Sequence, residues 1–88
     1  MIYVTVRPKS NAAIRERTNL PVVKLLLSIH GNVSGFIYEW EDKTRHVCGG
    51  ITKNTILIMD NIEYDMGNDF DRKKFKEDFL VLNSLNCL

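Results

Sequence analysis

Apolar and polar residues alternate from Ile2 to Val6, with Ile2, Val4 and Val6 on one side and Tyr3, Thr5 and Arg7 on the other. A period of two marks a half-buried strand, and Pro8, which has no amide hydrogen to donate, ends it. Residues 9–18 are polar and basic; Ser10 is placed to cap a short helix through Ile14, and a loop fits the same residues. The period then changes. Val22, Leu25, Leu26 and Ile29 recur at i, i+3, i+4 and i+7, between Asn19 as N-cap, Pro21 in the first turn and Gly31 as the stop. That spacing predicts a helix over residues 20–30, and Val23 and Leu27 widen its stripe until most sides are apolar. A strand is the alternative, because short apolar runs do not discriminate between the two.

Phe36–Trp40 and Arg45–Cys48 read as two strands around Glu41-Asp42-Lys43-Thr44. The register puts Trp40 opposite Arg45, Glu39 opposite His46 and Tyr38 opposite Val47, so Phe36, Tyr38, Trp40 and Val47 share the core face. Gly49-Gly50 should break the strand. Thr55–Met59 forms another, apolar on both sides and therefore central. Residues 60–69 are acidic and turn-like. Asn68 or Asp69 then caps a final helix, in which Phe75, Phe79 and Leu82 repeat at i, i+4 and i+7 and Lys73, Lys74 and Lys76 lie mainly away from that stripe. The expected order is β-α-β-β-β-α: one α+β domain over residues 1–88, a small antiparallel or mixed sheet covered by two helices.

Composition bounds the picture without changing it. With 44% hydrophobic and 26% charged residues, the 88-residue chain is too apolar for a disordered one. Net charge is only +1 and carries no message about nucleic acid, but its distribution does. Arg7, Lys9, Arg15, Arg17 and Lys24 stand near one end against Glu16 alone; seven acids from Asp60 to Asp78 stand near the other against four bases. Opposite poles favour head-to-tail contacts or a polarised partner. Two cysteines are too few for a disulfide framework, no export signal or membrane-length apolar run is present, and a reducing, cytoplasmic setting is expected. Asn, Ile and Lys are abundant and Ala and Pro scarce, a codon bias of AT-rich genomes that suits a phage, viral or mobile-element gene.

Candidate chemistry is sparse. His46 and Cys48 fall on one face of a strand about 7 Å apart, with Glu39 opposite the imidazole, the ingredients of an activated thiol. An ordinary cross-strand pair beside a small strand residue accounts for them equally. His30, His46, Cys48 and Cys87 lack the close paired spacing of a zinc site. Asp60, Glu63, Asp65, Asp69 and Asp71 do not fit a calcium loop, since with Gly67 as its glycine the first ligand position would be Ile62. No cofactor is implied. Phe36, Tyr38 and Trp40 could stack bases, but a sheet this small needs that face for packing. The possible helix pair before the hairpin faintly resembles a winged-helix layout, with a second helix too apolar to read a groove.

The leading expectation is therefore a non-enzymatic protein–protein interaction module, a phage or mobile-element product that binds and inhibits or redirects a host protein, with homodimerisation as a further possibility. Its contact residues are expected to be Arg15, Arg17 and Lys24, which steer association, together with Tyr3 and Thr5 on an N-terminal strand at a sheet edge. A nucleic-acid-binding domain using the basic N-terminal region is the second reading, and a small Cys/His enzyme the third.

Overall fold

A computed structural model describes residues 2–9, 17–39 and 46–86. These residues form strands β1 (Ile2–Pro8), β2 (Arg17–Leu27), β3 (Val33–Glu39), β4 (His46–Gly50), β5 (Thr55–Met59) and β6 (Ile62–Asp65), followed by helix α1 (Asp69–Asn86). The strands make one antiparallel sheet in the order β4-β3-β2-β1-β5-β6. The fold is α+β, but the expected sheet under two helices is corrected in three places. The 20–30 segment is strand, the acidic stretch contains a sixth strand, and α1 is the one helix of the described residues. The short helix considered after Ser10 falls outside them.

The 20–30 segment looked helical because β2 is irregular. Val22 lies opposite Tyr38, but the next aligned pair is Lys24 with Ile37, so one extra residue is inserted between Val22 and Leu25. A bulge of this kind turns a strand spacing of two into three, the spacing of a helix. A second shift lies between Val4 and Val6, where Asn19 adopts a φ of 52° and its amide donates to Thr5 Oγ1 at 3.1 Å. Asn tolerates that left-handed conformation better than a β-branched residue would.

The β3–β4 hairpin has the expected register, with Glu39 opposite His46 and Tyr38 opposite Val47; Trp40 and Arg45 lie outside the described residues. Gly49 and Gly50 do not break β4 but pair with Phe36 and Gly35. The backbones close tightly there, and a Cβ on Gly35 would stand 2.5 Å from the Gly49 carbonyl oxygen. The β5–β6 connection is a two-residue turn in which Asp60 and Asn61 both have positive φ, 54° and 64°. That is the type I′ geometry whose twist matches antiparallel strands. At α1, Asn68 Oδ1 accepts the Asp71 amide at 3.1 Å, the N-cap bond expected of this residue.

The core lies between the sheet and α1. Ile2, Val4, Val22, Phe36, Tyr38, Leu57, Met59 and Tyr64 supply the sheet side; Phe75 and Phe79 are buried from the helix and Leu82 partly so. The Tyr64 and Phe75 rings meet edge to face with centroids 5.2 Å apart. The opposite face of the sheet, carrying Tyr3, Thr5, Arg7, Ile56, Ile58 and Glu63 by alternation, has no described helix over it.

Candidate functional site

The described part of β1 starts at Ile2, which pairs with Val22, and β2 continues to Leu27 against β3. From Lys24 onward, β2 therefore has no described strand on the β1 side. Main-chain directions follow from the hydrogen bonds of β3. The Ile51 amide donates to Ser34 O at 3.1 Å, so the peptide groups of Ser34 face β4 and those of Gly35 face β2. Leu26 lies opposite Gly35 and turns its own groups toward β3, which leaves the N–H and C=O of Leu25 directed to the β1 side.

A groove of about 180 Å³ lies along this margin, with Val23, Lys24, Leu25 and Leu27 of β2 on one wall and Lys76, Phe79, Leu80 and Asn83 of α1 on the other. Phe79 is buried beneath it, but Val23, Leu27 and Leu80 are 39%, 49% and 51% exposed. Val81 and Leu85 add further exposed apolar side chains on α1, and Ile29 one on the turn after β2. No acid lines the groove. Lys76 Nζ also donates to Gly31 O at 2.8 Å, fixing the β2–β3 turn to the helix.

The structure does not gather the five residues expected at the site. Tyr3 and Thr5 do come together, lining a second, open groove of about 410 Å³ with Asn19, Ile58 and Asn61. They do not sit at a sheet edge, because β1 is flanked by β2 and β5. Lys24 belongs to the α1–β2 groove, Arg17 opens β2 opposite Val6, and Arg15 is outside the described residues. Val23, Leu27, Lys76 and Leu80 were missed. A signal existed for one of them: Leu80 is apolar yet off the Phe75-Phe79-Leu82 stripe, as are Val81 and Leu85.

The charged poles meet within the molecule. Arg7 Nη1 lies 2.7 Å from Glu63 Oε1, reaching across β5, and Lys9 pairs with Asp65. Lys9, and next the Gly67 amide at 2.8 Å, hold the Asp65 carboxyl below its usual range. Asp71 accepts the Asp65 amide at 3.0 Å, so this acidic stretch serves the turn into α1. Glu39 and His46 are cross-strand neighbours, Cys48 is exposed opposite Ile37, and Cys87 lies outside the described residues. Among the described residues, no group of three or more His, Cys, Asp or Glu is placed to hold a metal ion, and no helix is long and apolar enough to cross a membrane. No protein-family model, curated protein or solved structure matches the chain.

Proposed function

We propose that this chain is a small protein-binding module whose contact surface is the groove between α1 and the outer half of β2. The observation that carries the reading is the clustering of half-exposed Val23, Leu27 and Leu80 around one groove. Apolar side chains grouped around a concave, polar-rimmed surface are the usual footprint of a protein interface. The nucleic-acid alternative loses support from the pairing of Arg7 with Glu63 and of Lys9 with Asp65, which offsets positive charge that phosphates would need.

Affinity capture from a nuclease-treated lysate, with wild-type protein and the Leu80→Asp variant in parallel, tests the proposal. A stoichiometric protein retained by the wild type and lost with Leu80→Asp is the expected result. Capture that disappears on nuclease treatment, or that ignores Leu80→Asp, would refute it.

A further inference from the structure

We propose that the outward face of α1 joins two copies of the chain, helix against helix and antiparallel. Phe70 of each copy packs on Val81 of the other, and Glu77 of each lies between Lys73 and Lys74 of the other. This surface is distinct from the groove, which none of these five residues lines.

Helix periodicity defines the face. At about 100° per residue, Phe70, Glu77 and Val81 fall within about 40° of one another, on the side of α1 away from buried Phe75 and Phe79. A helix packed on a sheet ordinarily turns charged or polar residues outward. Here Phe70 is 74% exposed and Val81 60%, with Leu85 exposed beside them. Single exposed apolar residues are common, but apolar residues at both ends of one outward face, about three turns apart, mark a contact surface. Between those ends the face is charged.

That charge selects a second copy and sets its direction. Lys73 and Lys74 flank the line of Phe70, Glu77 and Val81 on either side, and both are exposed, as is Glu77. An antiparallel pair that sets Phe70 level with Val81 also sets Lys74 level with Glu77, because both pairs share a midpoint between Phe75 and Lys76. Each glutamate then meets two lysines, and the two-fold axis repeats the contact. Lys74 uses one donor on Asp78 at 3.2 Å and an ammonium has three, so it can still receive Glu77 of the other copy. A parallel pair would set Lys73, Lys74 and Glu77 against their own counterparts, like charge on like. An antiparallel pair centred on Val81 would set Glu77 against apolar Leu85. The pattern is self-complementary in the proposed arrangement.

Sedimentation equilibrium of the whole chain, at concentrations up to about 1 mM, is the test. A reversible monomer–dimer equilibrium is expected. Val81→Asp and Phe70→Ser, both on exposed side chains at opposite ends of the face, should each weaken it about tenfold while the circular dichroism of the monomer stays that of the wild type. Glu77→Lys should weaken it about tenfold at low salt, because three lysines of each copy then face three of the other. Adding Lys73→Glu and Lys74→Glu to that variant should bring dimerisation back to within about threefold of wild type, since each Lys introduced at position 77 again lies between two opposite charges. In a parallel pair the triple reversal still sets like against like and restores nothing. A chain that stays monomeric throughout, a dimer indifferent to both Val81→Asp and Phe70→Ser, or a triple variant no better than Glu77→Lys would each overturn the proposal.

Discussion

Tyr64 on β6 donates a 2.7 Å hydrogen bond to Asp78 on α1, and Lys74 reaches the same carboxylate oxygen from one turn earlier, at 3.2 Å. The tyrosine ring is buried against Phe75 while its hydroxyl ends at the half-open flank of the helix. One residue thus ties the last strand to the helix by packing and by a charge-assisted bond.

Removing that hydroxyl with Tyr64→Phe keeps the ring, and should cost about 1–2 kcal/mol in urea unfolding near neutral pH. Asp78 is held below the usual carboxylate range, chiefly by the Tyr64 hydroxyl and also by Lys74. Its contribution is therefore present above about pH 4 and is lost as the pH falls through its folded-state value. Tyr64 is displaced upward, by burial first and then by Asp78. Its share holds below about pH 10 and fades at higher pH as the unfolded chain ionises. Tyr64→Phe should flatten both limbs of the stability profile; a variant with the wild-type acid limb would place that limb elsewhere, with Asp65 as the next carboxyl to test.

Neighbouring helix positions should behave in opposite ways. Phe79→Ala empties a fully packed site and should cost about 3–5 kcal/mol, enough to unfold much of a domain this small. Leu80→Ala removes a side chain half in water and should change stability by about 0.5 kcal/mol or less. Thermal melts of the two variants check the division between core and groove. A large loss at Leu80 would make it a packing residue instead of a contact.

The β5–β6 turn predicts a backbone effect. Asn61 has a φ of 64°, so Asn61→Val should destabilise by about 1–2 kcal/mol, whereas Asn61→Gly should leave the midpoint of unfolding unchanged or raise it. Equal midpoints for the two variants would show that the turn relaxes to another geometry.

The sequence by itself determined the elements whose signals are local. The β3–β4 register followed from alternation on either side of one short loop, and α1 from an N-cap and a repeat of three or four residues. β6 was hidden because Glu63 and Asp65 made it read as a turn; they are the outward positions of an alternating strand, and the cations that pair with them come from the far end of the chain. β2 was hidden by its bulge, which gave Val22 and Leu25 a helical spacing, and only pairing with both β1 and β3 resolves that ambiguity. The groove depended most on tertiary structure. Leu80, Val81 and Leu85 announced apolar residues off the buried stripe, but nothing local says that Leu80 lies across a groove from Val23 and Leu27 of β2. Which strand a helix face meets is set by long-range packing, and that packing is what places Leu80 beside β2.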